Sequence, residues 1–323
     1  MLTPTKSLFQ VVVFGLILVP LLLISWKLQQ GYFSPQQLLP QPTYQVQYDF
    51  SLGHLEEKKE LFVRAYIPQS SAHQQISNAQ VSSSVFLSEQ IQSDAGQQIT
   101  WRANEWADSA YQLTYRFDYQ GQALNYDLSP ELSQLQAIPE SVTPWLAPSK
   151  FIQAEDERIT RLANELMLGS SNMESTLRQF YGYAEGLRPI QTSELTDAIT
   201  ALEAGAASCN GKSRLFVALC RAAGIPARVV GGIILQDVQK RTSHLWAEAY
   251  VHGQWVPFDP LNHHFAFLPQ NYLELYRGDH FLISRSSGID FAYQFTINKQ
   301  EAYTTSKQTA YSLWTLPLSA NLP

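Results

Sequence analysis

The stretch Ala206–Gly232, AASCNGKSRLFVALCRAAGIPARVVGG, holds both cysteines of the chain. Leu215, Phe216, Leu219 and Cys220 recur at helical spacing, and Gly224 and Pro226 follow as stop signals, so the spacing predicts one helix from Cys209 to Ala223. Eleven residues at a helical rise of about 1.5 Å put the two α-carbons roughly 16 Å apart, where a disulfide needs about 7 Å or less. The two cysteines therefore do not bridge each other. Cys220 continues the apolar stripe and reads as a small buried hydrophobe. Cys209 stands where the helix begins, after the short run Gly205 to Ser208. There the free backbone N–H groups and the positive end of the helix dipole favour a thiolate. Such a position suits a nucleophile, and its own backbone N–H is a candidate oxyanion donor.

A nucleophile needs a base, and the base needs a group that holds its ring. Downstream lies SHLWAEAYVHGQWVPFDP, Ser243–Pro260. Alternation puts His244, Trp246, Glu248 and Tyr250 on one face of a strand, with Leu245, Ala247, Ala249 and Val251 on the other. A two-residue turn at His252-Gly253 sets Val251 opposite Gln254 and Trp246 opposite Asp259. His244 then becomes the diagonal same-face neighbour of Asp259, close enough for the side chains to meet. A slip of one residue would separate them. Trp246 reads either as part of the core or as a pocket residue that shields the site, and Arg228 reads as a structural anchor beside the helix. A metal site from His263, His264 and His280 is disfavoured, because the adjacent pair would point in opposite directions on a strand. No metal and no cofactor is expected.

Working outward, the 323 residues are 45% hydrophobic and 12% aromatic, enough for a substantial core and for two domains. The formal charge of −6 without a basic stripe excludes a nucleic-acid partner. From Leu8 to Leu28 the chain is almost wholly apolar and ends near Trp26, which reads as one membrane span rather than a cleaved signal peptide. The expected layout is a cytoplasmic N-terminus and transmembrane anchor over 1–30 and a Gln- and Pro-rich linker over 31–43. An antiparallel β-sandwich-like domain follows over 44–130, where runs such as YQVQYDF (Tyr44–Phe50) and YQLTYRFDY (Tyr111–Tyr119) alternate. A Pro-bearing linker over 131–150 leads to an α+β domain over 151–300, then a C-terminal extension over 301–323. In the α+β domain, helical periodicity is read in Glu155–Leu168, Asn172–Leu187 and Thr192–Gly205.

The order cysteine-led helix, GIPAR, strand, HLW and FDP resembles the catalytic core of the transglutaminase-like superfamily, a branch of papain-like cysteine enzymes. The resemblance spans roughly Ala154–Pro269. It implies an α+β papain- or transglutaminase-like fold, with Cys209, His244 and Asp259 in the family's catalytic roles. It also implies a peptide or protein amide as substrate, with peptidase or amidase action ahead of amine transfer. The flanks, including VRAYIPQSSAHQQI (Val63–Ile76) and LPQNYLELYRGDHFLI (Leu268–Ile283), resemble bacterial membrane-anchored members. Those members are fused to further membrane helices, are often inactive, and act beside peptide-ligating or peptide-cleaving partners. The implied location is a single-pass membrane protein with its main domains periplasmic or extracytoplasmic. This sequence keeps all three reactive residues but shows no second apolar run. The alternative is an inactive, membrane-tethered peptide-binding scaffold.

Overall fold

Strict alternation governs the two longest N-terminal strands of the computed structural model, which describes residues 42–300 apart from 56–60, 84, 104–109, 129–137, 192–195 and 241–242. The strands are β1 (Thr43–Leu55), β2 (Leu61–Ile67), β3 (Gln74–Ser83), β4 (Leu87–Ser93), β5 (Gly96–Ala103), β6 (Tyr111–Gly121) and β7 (Leu124–Asn125). On β1, Tyr44, Val46, Tyr48, Phe50 and Leu52 all point inward; on its neighbour β6 so do Tyr111, Leu113, Tyr115, Phe117 and Tyr119. The inner faces of β2 and β5 meet them, with the Phe50 and Trp101 rings 5.3 Å apart. Each such aromatic or aliphatic side chain contributes roughly 1.5–3 kcal/mol by leaving water, so this buried array dominates the stability of the β-rich region.

The second half opens with a 3-10 helix, Glu140–Leu146, and four α-helices: α1 (Glu157–Met167), α2 (Met173–Gly186), α3 (Ala198–Ala204) and α4 (Cys209–Ala222). The side chains of Asp156, Asn172 and Asp197 accept backbone N–H bonds at the starts of the first three. The third helix is shorter than its periodicity suggests: it starts after the Asp197 cap, and residues 192–195 lie outside the described set. The remaining strands are β8 (Arg188–Pro189), β9 (Ala206–Ala207), β10 (Ala227–Ile234), β11 (Val238–Lys240), β12 (His244–Val251), β13 (Gln254–Asp259), β14 (His264–Phe265), β15 (Phe267–Leu268), β16 (Tyr272–Arg277), β17 (Ile283–Arg285) and β18 (Ile289–Gln300).

A five-stranded sheet, in the order β14-β13-β12-β10-β16, forms the floor under α4. Its alternation is two-sided. Leu245, Ala247, Ala249 and Val251 join the core shared with the helices, while Trp246 packs with Val230, Leu268 and Tyr272 on the reverse face. Helix α4 is buried from Gly211 to Arg221, charges included. Those charges are partnered: Lys212 Nζ donates to the Glu185 carbonyl at 2.6 Å, Arg214 pairs with Asp279 at 2.9 Å, and Arg221 Nη1 donates to the Ala147 carbonyl at 2.6 Å.

The expected separation of a β domain over 44–130 from an α+β domain over 151–300 is not how the strands pair. The sandwich sheets are β11-β18-β1-β6-β3 and β17-β2-β5-β4, so strands from 238–240, 283–285 and 289–300 complete the N-terminal β-rich region. Ile233, Leu235, Leu273, Leu275 and Tyr276, from the ends of the floor sheet, also enter the sandwich core. The physical reason is that β1 offers a full-length partner edge: β18 pairs with it from Thr43↔Gln300 down to Leu55↔Ile289. The segment 1–30, nearly all of the expected linker 31–43 and the extension 301–323 lie outside the described residues. Among the described residues no helix is long and apolar enough to cross a membrane.

Candidate active site

Local backbone geometry places Cys209. Gly205 ends α3 in the left-handed conformation (φ 57°), and a two-residue parallel pairing, Arg188↔Ala206 and Pro189↔Ala207, holds the chain before it turns into α4. Close packing helps: a Cβ on Gly211 would lie 2.7 Å from the Ala207 Cβ, so only glycine lets the first turn settle onto this strand. Cys209 is the first residue of α4, and the preceding Ser208 makes no side-chain cap. The first N–H groups of the helix therefore stay open beside the sulfur.

The hairpin places the other two. His252 (φ 50°) and Gly253 (φ 82°) are both left-handed, as a two-residue turn of this kind requires. The ladder runs from Val251↔Gln254 to Ala247↔Phe258. In this register His244 Nε2 lies 2.6 Å from Asp259 Oδ2, with His244 nearly buried and Asp259 fully so. Cys209 Sγ donates to Asn210 Oδ1 at 3.9 Å, and the sulfur lies near enough to the His244 side chain and the Leu245 backbone for both to lower its pKa. The structure thus joins His244 to Asp259 and places Cys209 in their neighbourhood.

Asp259 is saturated with donors. Its Oδ1 accepts the backbone N–H groups of Leu261 (3.0 Å) and Asn262 (3.2 Å); its Oδ2 accepts Asn262 Nδ2 (2.8 Å) and the Tyr272 hydroxyl (2.7 Å) as well as the imidazole. Asn262 and Tyr272 were not singled out from the sequence. The Asp-Pro-Leu-Asn run at 259–262 carries the turn signal that could have found Asn262, because Asp side chains bond backbone N–H groups two and three residues on. Tyr272 comes from a strand with no local link to the others.

Trp246 is buried and roughly parallel to His244, with centroids 6.3 Å apart and planes at 20°. Gly232 makes room for it, since a Cβ there would lie 2.7 Å from the indole. Trp246, Glu248, Tyr272, Glu274 and His73 wall a small cavity on the reverse face of the sheet. Arg228 sits on β10, pairs with Glu248 at 2.7 Å and lies 3.8 Å over the Trp255 ring, so it braces the sheet rather than the helix. The three histidines considered for a metal have other partners: His263 bonds Glu185, His264 packs on Phe267 and Tyr272, and His280 packs on Tyr66 and Tyr276.

Electrostatics follow from this placement. Burial works against both charged forms, yet the hydrogen bonds and charge of His244 together with the Leu245 backbone bond pull the Cys209 pKa below its ordinary value. His244 is likewise desolvated, and the bonds to Asp259 and Cys209 overcome this and raise it to about 9. Asp259 is held at about 2 because its donors outweigh burial. The arrangement eases ionisation of the thiol beside a charged imidazole and a carboxylate. Stability is linked to these shifts. The Asp259 contribution is complete above its ordinary 3.8 and is lost as pH falls toward about 2. The His244 contribution is complete below 6.5 and is lost as pH rises through about 9. The difference in Tm between the wild type and His244→Leu is therefore expected to narrow between pH 6.5 and 10, as thermal melts would show; a constant difference would contradict the charged imidazole.

Residues 160–260 match the family model of the transglutaminase-like superfamily. Among solved structures, a candidate cysteine protease from Cytophaga hutchinsonii superposes with a TM-score of 0.64 at 17% identity, covering 82% of this chain and 92% of that one. The periplasmic domain of TgpA from Pseudomonas aeruginosa, bound to ethylmercury, shares 18% identity over 69% of this chain and 90% of its own, with a TM-score of 0.33. No curated protein matches the chain.

Proposed function

With a transglutaminase-like domain at residues 160–260, we propose that the chain is a cysteine enzyme that hydrolyses amide bonds in peptides or proteins. The observation that carries this reading is the buried His244–Asp259 pair, its carboxylate held by four further donors, with Cys209 near the imidazole. The Cys209 thiolate attacks the amide carbonyl. His244, already protonated, gives its proton to the leaving amine, and water then releases the acyl group with His244 as base. Asp259 fixes the ring through Nε2 and stabilises the charged ring throughout. We further propose that the apolar run Leu8–Leu28 anchors the enzyme in a membrane, with the folded part outside the cytoplasm.

Alkylation by iodoacetamide tests the reading without knowledge of the natural substrate. At pH 6 an ordinary thiol is less than about 1% ionised. A thiolate of lowered pKa loses some intrinsic nucleophilicity but gains far more in population, for a net gain of about tenfold. Cys209 is expected to react at about that advantage over free cysteine, and His244→Ala is expected to abolish it. A rate at pH 6 equal to that of free cysteine would favour the scaffold alternative.

A further inference from the structure

We propose that the Tyr276 hydroxyl is the second donor to the oxyanion, acting beside the backbone N–H of Cys209. The inference rests on the reading of Cys209 as nucleophile. Tyr276 belongs to β16 and pairs with Gly231 of β10; on its other side Gly231 pairs with Leu245 of β12. A Cβ built on Gly231 would lie 2.0 Å from the phenol Cζ and 2.4 Å from its hydroxyl. The end of the ring therefore lies over β10 in the space a larger residue would fill, on the face that the paired residues Gly231, Leu245 and Tyr276 share. Cys209 acts electrostatically on Tyr276 and is itself influenced by the Leu245 backbone, so phenol and sulfur lie in one neighbourhood on this face of the sheet.

The ring is well held. Tyr66 packs against it with centroids 4.7 Å apart, and His280 meets it edge-on at 6.4 Å. Its hydroxyl, by contrast, makes no hydrogen bond among the described residues, whereas the hydroxyl of the other tyrosine near the site, Tyr272, is committed to Asp259. Burial pushes the Tyr276 pKa up against the opposing charge of Arg214, so the phenol keeps its proton and has an O–H to donate. A rigid, uncommitted donor in a low-dielectric site is what stabilisation of a developing negative charge requires.

In the acylation step the sulfur–carbon bond forms and the carbonyl π pair moves onto oxygen. Tyr276 donates a hydrogen bond to that oxygen and keeps its proton. When the pair returns, the carbon–nitrogen bond breaks and the amine leaves with the His244 proton.

Two probes separate the donor from the nucleophile. Iodoacetamide reacts by displacement at carbon and creates no oxyanion; propanal adds to the thiolate and places its oxygen where the substrate oxygen would sit. In Tyr276→Phe the ring and its packing stay, the iodoacetamide rate is expected within about twofold of wild type, and protection by propanal is expected to weaken by about tenfold or more. Equal protection in the two proteins, or no protection of the wild type, would overturn the donor role. So would a slower alkylation of Tyr276→Phe, which would make the phenol a partner of the thiolate instead. Slow alkylation of the wild type at pH 6 is a different outcome: it removes the nucleophile itself.

Discussion

In Cys209→Ala, hydrolysis of peptide amides is expected to fall by about 10⁴-fold or more, since loss of the nucleophile leaves only binding and oxyanion contacts to act. The fold should survive, because Cys209 is only half-buried at the mouth of α4. Cys220→Ala is the matched control. That thiol is fully buried, burial pushes its pKa up, and it lies about 16 Å along the helix from Cys209. Its loss opens a small void costing about 1 kcal/mol and should leave turnover within about twofold. Equal activity of Cys209→Ala and wild type, read as release of amines from a peptide mixture, would end the case for a cysteine enzyme.

Asp259→Asn is expected to be nearly as severe, and in stability as well as rate. The carboxylate accepts five hydrogen bonds, three at Oδ2 and two at Oδ1. An amide has one acceptor end. In one orientation its NH₂ faces the imidazole, the Asn262 amide and the Tyr272 hydroxyl; flipped, it faces two backbone N–H groups. Either way buried donors meet donors, and removing one partner of a buried, hydrogen-bonded charge costs about 3–5 kcal/mol. For a chain this size that is roughly 10 °C in Tm. The surviving folded protein should also alkylate more slowly at pH 6, because the imidazolium loses the charge that raised it to about 9. An unchanged Tm with an unchanged alkylation profile would mean that Asp259 neither orients nor charges the ring.

What could be read in the sequence was what is local in the chain. The His252-Gly253 turn fixes the register of β12 on β13, and that register alone delivers His244 to Asp259. The start of α4 at Cys209 was legible from the small residues before it and the Gly-x-Pro stop after it. The groups around that pair were not. Tyr272 and Tyr276 alternate on β16, and their partners are chosen by β16 lying against β10, a pairing across more than thirty residues that leaves no local mark. The same holds for β18, whose alternating pattern says strand but not which edge. Gly231 and Gly232 stand out as a pair in the sequence, but nothing local says what needs them; their use is to let Tyr276 and Trp246 lie against the sheet.

The pairing of Thr43 with Gln300 bears on how the molecule would respond to force. Because the two ends of the described chain sit face to face on one antiparallel ladder, a pull on both would open that ladder rung by rung, as a zipper, and not shear it all at once. Tension would be dissipated in β1 and β18 while the hairpin that carries His244 and Asp259 stayed slack, so that pair is mechanically insulated from whatever the two ends are tied to.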